Sequence, residues 1–280
     1  MKPTNHINLF EPQVMAIVNV TDDSFYDGSR TKTDESLQSR IRQVVEQGAT
    51  IIDIGGYSSR PGADDVSVEE EWLRVRRGLK TVREISNDVV ISVDTFRAEV
   101  ARRAIEEFGW MIINDISAGE LSPEIVDVVA QADVPYVAMH MRGTPQNMQQ
   151  KTCYEDGVVA EVFRYFQQRV EYLMSRGVKQ IILDPGFGFA KSVEHNYELL
   201  SSLNKFCDLG YPILAGLSRK SMIYKALDCT PAEALAGTIA LNWEALRQGA
   251  TILRVHDVRE AVEEVRLYKQ LKQIRIKKNP

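Results

Sequence analysis

The segment RVHD at 254–257 ends an apolar run and carries two groups suited to an anion, Arg254 and His256. Side chains of an extended chain alternate with period two, so residues two apart project to one face. Taken alone, the segment reads better as an Arg–Asp surface pair beside a solvated His. Other segments change that balance. GLSRKS at 216–221 sets Arg219, Lys220 and the hydroxyls of Ser218 and Ser221 on a glycine-led turn, suited to an anionic or carbonyl-bearing ligand. GGYSSRPGA at 55–63 joins glycines that relax the backbone to hydroxyls and to Arg60, whose fork can grip phosphate oxygens in two places. A turn capped by Asp65 or Ser67 would explain its glycines and proline, but not Ser-Ser-Arg.

Asp94, Asn114 and Asp184 also end apolar runs, and together offer the donors and acceptors that could read the edge of a planar heterocycle. Singly, each could merely cap the helix that follows. His140 with Met141 closes another run in the same way. Asn19 precedes TDDSFYDG, which is too long and acidic for a tight turn and reads as a mobile lid. Its carboxylates and the Asn19 carbonyl are hard oxygen donors, suited to Mg2+ rather than zinc.

The elements that must position these residues are short Val- and Ile-rich runs, the form taken by strands buried on both faces of a parallel sheet. Eight occur: Val14–Val20, Thr50–Ile54, Val89–Val93, Trp110–Asn114, Pro135–His140, Gln180–Asp184, Pro212–Leu217 and Ala250–Val255. Between them apolar residues recur at helical spacing, as in Leu37, Ile41, Val44, Val45 and then Leu73, Val75, Leu79, Val82. Gly48, Gly109, Gly177, Gly210 and Gly249 stand shortly before strands, where a left-handed residue ends a helix. Strict alternation admits a doubly wound sheet or a closed barrel, and eight strands favour the barrel. A barrel gathers its site on the loops after all its strands, and here every strand end carries polar residues while the strand starts do not.

The fold class is therefore α/β, a single (β/α)8 TIM barrel over residues 1–280 with 1–12 as an N-terminal extension. The length of 280 residues suits such a barrel as one domain. With 44% hydrophobic and 26% charged residues the chain reads as globular, with a large core. A net charge of −5 gives no basic field to gather nucleic acid or membrane, so any anion site is local. The basic tail from Lys269 to Lys278 reads as the solvated end of a last helix. Cys153, Cys207 and Cys229 are too scattered for a zinc site or a disulfide framework. Neither a signal peptide nor a run of roughly 18 apolar residues is present, so a cytoplasmic protein is expected.

Taken in order, the segments resemble those of the dihydropteroate synthase family over nearly the whole chain. The resemblance rests on NVTDDSFYDG at 19–28, IIDIGGYSSRPGA at 51–63, ISVDTF at 91–96 and INDIS at 113–117. It continues through MHMRGTP at 139–145, LDPGFGFAK at 183–191, GLSRKS at 216–221 and ILRVHDV at 252–258. It implies an enzyme of folate biosynthesis, a homodimer, that joins 6-hydroxymethyl-7,8-dihydropterin pyrophosphate to p-aminobenzoate with Mg2+ and releases pyrophosphate. By resemblance Asp94, Asn114, Asp184 and Lys220 hold the pterin, with Met139 and Phe189 lining it. Ser59, Arg60, Arg254 and His256 take the pyrophosphate, and Asn19 ligates Mg2+. Phe25, Pro61, Phe189, Lys220 and Ser221 shape the p-aminobenzoate pocket, where sulfonamides would mimic the amine. Asp184, Lys220, Arg254 and His256 are the expected catalytic groups.

Loops 21–31 and 55–65 are expected to close over the intermediate and exclude water. Three residues depart from the family pattern: Asp22 for the usual proline, Tyr57 for glutamate and Ser59 for threonine. Ser59 keeps the hydroxyl, whereas Asp22 adds charge to the first loop. A methyltetrahydrofolate-binding methyltransferase would also read a pterin edge with Asp and Asn, but has no pyrophosphate to hold. A non-catalytic pterin-binding paralogue would find its only support in the altered first loop.

Overall fold

A computed structural model describes residues 7–20, 34–58 and 65–278, the last four of these by backbone alone. Eight parallel strands form one sheet: β1 (Gln13–Asn19), β2 (Ile51–Gly55), β3 (Val90–Asp94), β4 (Ile112–Asp115), β5 (Tyr136–Met139), β6 (Ile181–Asp184), β7 (Leu214–Ala215) and β8 (Ile252–Val255). Their order is β6-β5-β4-β3-β2-β1-β8-β7. The remaining gap is bridged where Leu183 pairs with Ile213, its N–H donating to Pro212 O at 2.9 Å. The barrel expected from the sequence is the fold observed, with most strand limits displaced by one or two residues.

The seventh strand departs most from its expected span, shrinking from Pro212–Leu217 to two residues. Pro212 has no N–H to give the ladder. Ile213 O accepts from both Thr251 and Ile252, at 2.9 and 3.1 Å, which breaks the regular register on the other side.

The main helices around the barrel are α1 (Asp34–Glu46), α2 (Val68–Ile85), α3 (Ala98–Phe108), α4 (Glu124–Ala132), α5 (Val158–Ser175), α6 (Val193–Ser201) and α7 (Asn204–Cys207). The last three are α8 (Ser221–Tyr224), α9 (Leu235–Arg247) and α10 (Val258–Lys278). Leu37, Ile41 and Val44 form the buried stripe of α1. On α2 the stripe is Trp72, Val75, Leu79 and Val82, so the expected Leu73 lies one position off it and is exposed. The five glycines read as helix ends all take positive φ, between 80° and 101°. Ser67 caps α2 by accepting from Glu70 N at 3.1 Å.

Two apolar layers make the core. The larger packs the outward faces of the strands against the helices. The smaller fills the barrel's lower interior with Met15, Ile51, Ile112, Val137, Ile182, Leu214 and Ile252. Each such side chain contributes about 1.5–3 kcal/mol on burial. Ile7 and Leu9 join this plug, so the described part of the N-terminal extension closes the barrel floor.

Candidate active site at the barrel mouth

The plug determines which residues reach the mouth. Counting upward in twos along each strand from its plug residue gives the inward-facing positions. Met15 leads to Ile17 and Asn19, Ile51 to Asp53 and Gly55, and Ile112 to Asn114. Val137 leads to Met139, Ile182 to Asp184, Leu214 to Gly216, and Ile252 to Arg254 and His256. Val90, packed against the plug, leads to Ser92 and Asp94.

These positions form a charged network. Arg254 donates through Nε to Asp53 Oδ2 at 2.7 Å and through Nη2 to Asp94 Oδ2 at 2.6 Å. Asn114 Nδ2 donates to the same Asp53 oxygen at 2.9 Å. Asp184 accepts from Gly186 N at 2.8 Å, and Lys220 donates to Phe187 O. Lys220 Nζ also lies 5.0 Å from the centre of the Phe189 ring. Gly186 has φ +70°, and a Cβ there would lie 2.1 Å from His140 O, so no side chain fits. Beside this network Met139, Met141, Met148, Ile116 and Ala190 form an apolar wall, against which Phe189 and Phe96 pack.

Burial sets the protonation of these groups. It pushes Asp94 up to about 7, with Arg254 pulling the other way and Asp53 adding to the rise. Asp184 is likewise raised by burial, against Lys220 and the Gly186 N–H. Lys220 falls to about 8 through burial, with Asp184 opposing. Burial also disfavours charge on Arg254, but Asp53 and Asp94 outweigh it and hold the guanidinium protonated. His256 drops to about 3, through burial first and then the Arg254, Arg40 and Arg219 charges, so its imidazole is neutral at pH 7.

Asp94, Asn114, Met139, Asp184, Phe189, Lys220 and Arg254 therefore converge as expected, and Asn19 reaches the same rim. A Cβ on Gly55 would lie 3.3 Å from Asn19 Oδ1 and 3.6 Å from Asp94 Cβ. Ser221 opens α8 directly after Lys220. Phe25, Ser59, Arg60 and Pro61, with Asp22 and most of both expected lids, lie outside the described residues.

The structure sends several polar residues of the strand ends elsewhere. Arg219, read as a second ligand cation, is only 8% exposed and takes φ +55°, which turns it away from the mouth. There it grips Asp257 with two bonds of 2.9 Å and the carbonyls of Pro231 and Ala232 at 2.7 and 2.6 Å. The Ser218 hydroxyl is likewise engaged internally, accepting from His256 N at 3.2 Å. His140 lies outside the network, its ring edge-on to Tyr165 with centroids 4.8 Å apart and Nδ1 2.9 Å from Lys191 Nζ. Asp115, next in sequence to Asn114, points outward and accepts from Ser117, Gly119 and Tyr136.

Sequence reasoning passed over Asp53, which is fully buried and joins Arg254 to Asn114. The available signal was an acid inside the run IIDIG, an even step above an apolar plug residue. Tyr57, the departure from the family pattern, meets Phe96 edge-on at 5.1 Å, and its hydroxyl accepts from Gln146 Nε2 at 3.3 Å. Arg97 lies 5.2 Å from the Tyr57 ring and reaches buried Glu71 at 3.1 Å.

The model of a family described as pterin binding enzyme matches residues 15–256. A dihydropteroate synthase of Haemophilus influenzae is 44% identical over 254 residues, covering 90% of this chain and 91% of that protein. The crystal structure of a Yersinia pestis dihydropteroate synthase with a sulfonamide drug superposes with a TM-score of 0.91 at 37% identity, covering 98% and 99% of the two chains. A Xanthomonas albilineans dihydropteroate synthase in complex with 7,8-dihydropteroate gives 0.82 at 37% identity, with 95% of each chain covered. Matched by that family over residues 15–256, alike in fold and similar in sequence along nine-tenths of its length, the chain belongs to the pterin-binding enzyme family and, within it, to the dihydropteroate synthases.

Proposed function

We propose that the enzyme condenses 6-hydroxymethyl-7,8-dihydropterin pyrophosphate with p-aminobenzoate, giving 7,8-dihydropteroate and pyrophosphate. The observation that carries this reading is the mouth network, in which Arg254 bridges Asp53 and Asp94 beside Asn114, Asp184 and Lys220. A pterin edge offers N–H donors to carboxylates and ring acceptors to an ammonium or amide, and this residue set supplies both kinds. Met139 and Phe189 would flank the ring.

Breaking the C–O bond sends an electron pair to the diphosphate, whose developing charge Arg254 and Arg60 would stabilise, with Ser59 as a hydroxyl donor. His256, held neutral in the ligand-free site, would serve as a hydrogen-bond donor to that anion. The pterin methylene gains cationic character, supported by the ring electrons and by ionised Asp184. The arylamine lone pair then forms the C–N bond and its proton leaves, a sequence that needs no strong general base. Phe25, Pro61, Phe189, Lys220 and Ser221 would shape the amine pocket, which sulfonamides would contest.

Asn19 fits a Mg2+ role, bringing a hard amide oxygen to the rim beside Gly55 and Asp94. Mg2+ uses few protein ligands together with substrate phosphates and water. Bound there with the diphosphate, the ion would neutralise charge on the leaving group. The reading also includes a homodimer, supported by Leu267, Leu271 and Ile274, which stay exposed along α10. It places the enzyme in the cytoplasm, where three free cysteines would remain reduced. No described helix is long and apolar enough to cross a membrane.

The test is pyrophosphate release from the pterin substrate and Mg2+, with and without p-aminobenzoate. Amine-dependent release is expected; its absence in protein that binds the pterin would return the chain to a non-catalytic role.

A further inference from the structure

Lys191 follows the turn Gly186–Phe189 and is only 4% exposed, an unusual place for an ammonium group. Its Nζ donates to Gly186 O and to Phe189 O, each at 3.0 Å, and lies 2.9 Å from His140 Nδ1. A longer bond of 3.4 Å runs to the backbone His140 O, so every N–H of the amine has an acceptor, with His140 Nδ1 among them. Among the described residues no carboxylate forms an ion pair with Lys191, and burial, against the pull of Asp184, holds its pKa well below the usual range. A lysine amine buried in such surroundings and fully engaged in hydrogen bonds points to a task beyond packing, because an apolar side chain would fill the same space without desolvation cost.

The turn beneath Lys191 positions much of the mouth. Gly186 N holds Asp184, Phe187 O holds Lys220, and the Phe189 ring packs beside Lys220 Nζ. The turn's own backbone bond runs from Phe189 N to Gly186 O at 3.0 Å, so Lys191 grips the same carbonyl and adds the carbonyl at the far end. Its charge also favours the ionised form of Asp184. We propose that Lys191, seated on His140, is a positioning residue for the reaction: it fixes the 186–189 turn and thereby the relative placement of Asp184, Lys220 and Phe189. This rests on the pterin reading of the site.

Three variants of the full-length protein separate this role from simple packing: Lys191→Met, His140→Leu and His140→Asn. Asparagine can return an acceptor near the Nδ1 position, whereas leucine cannot. Pterin affinity is read by fluorescence titration, turnover by amine-dependent pyrophosphate release, and folding by thermal melting. Lys191→Met is expected to lower kcat/KM for the pterin substrate by about 10²-fold, the scale of an ångström-level misplacement. His140→Leu should share much of that loss. His140→Asn should recover most of it relative to His140→Leu, in pterin affinity as well as turnover.

Equal pterin affinity in the two His140 variants overturns the proposal, and so does Lys191→Met that melts lower yet keeps the parent's affinity. Should Lys191→Met fail to fold, the His140 pair still decides. A parent protein that binds the pterin but releases no pyrophosphate would refute the proposed reaction alone, since the affinities would still report the positioning role.

Discussion

The Nη2 atom of Arg254 lies 2.6 Å from Asp94 Oδ2, while Nε of the same guanidinium holds Asp53 at 2.7 Å. In the proposed reading the arginine would meet an incoming diphosphate already oriented by two carboxylates, and Asp94 would meet the pterin with its charge partly balanced. Preorganisation of this kind saves rearrangement at the moment charge develops. Arg254→Ala should lower kcat by about 10²–10³-fold, the range seen when one transition-state donor is removed. Arg254→Lys should recover little, because one ammonium cannot span both carboxylates. Steady-state kinetics of both variants check this, and near-parental kcat in either would remove Arg254 from the leaving-group role.

Asp53 makes a separate prediction, because no substrate contact is assigned to it. Its Oδ2 accepts from Arg254 and Asn114, and its Oδ1 has no hydrogen-bond partner among the described residues. Asp53→Ala leaves Arg254 with one carboxylate and Asn114 with none. Breaking a buried pair costs about 3–5 kcal/mol, and the lower end applies because the Arg254 side chain is 21% exposed. Chemical denaturation should show that loss, together with weakened pterin binding. Asp53→Asn, which keeps an acceptor, should fall between the parent and Asp53→Ala in both measurements; a fully stable Asp53→Ala would contradict the bridging role.

The residues that read correctly from the sequence and those that did not differ in what holds them in place. Asn114, Asp184 and Arg254 end apolar runs, so period two and barrel closure were enough to aim them inward. Asp53 sits inside such a run, where a lone acid is hidden by the pattern that reveals the strand. Arg219 and Lys220 are neighbours with the same charge, yet the left-handed backbone at Arg219 sends it to Asp257. No periodicity encodes that turn. His140 and Lys191 are 51 residues apart, and only the folded barrel brings their nitrogens together.

Metal removal should separate catalysis from folding. Asn19 is the proposed protein contact to Mg2+, and the described residues hold no acidic or His/Cys cluster that would need a metal for stability. A chelator is expected to abolish pyrophosphate release while leaving the melting temperature of the ligand-free protein unchanged. Asn19→Ala should raise the Mg2+ concentration required for half-maximal rate. An unaltered Mg2+ requirement would exclude Asn19 as a ligand.

The pH dependence follows from two groups shifted toward each other. Burial raises Asp94 to about 7, and burial lowers Lys220 to about 8. In the proposed reading the competent free enzyme has Asp94 ionised, to accept from the ring, and Lys220 protonated, to donate to it. Raising the pH through about 7 gains the first condition, and raising it further through about 8 loses the second. The profile of kcat/KM for the pterin substrate, which reports the free enzyme, should therefore be a narrow bell between those limits. Asp184, also raised by burial, adds to the acid limb. Lys220→Arg keeps its charge at all these pH values, so its residual activity should lose the alkaline fall. Asp94→Asn should lose that residue's part of the acid limb, with titration of the substrate diphosphate common to both enzymes. An alkaline fall that persists in Lys220→Arg would assign that limb to another group and take the lysine out of the proton balance.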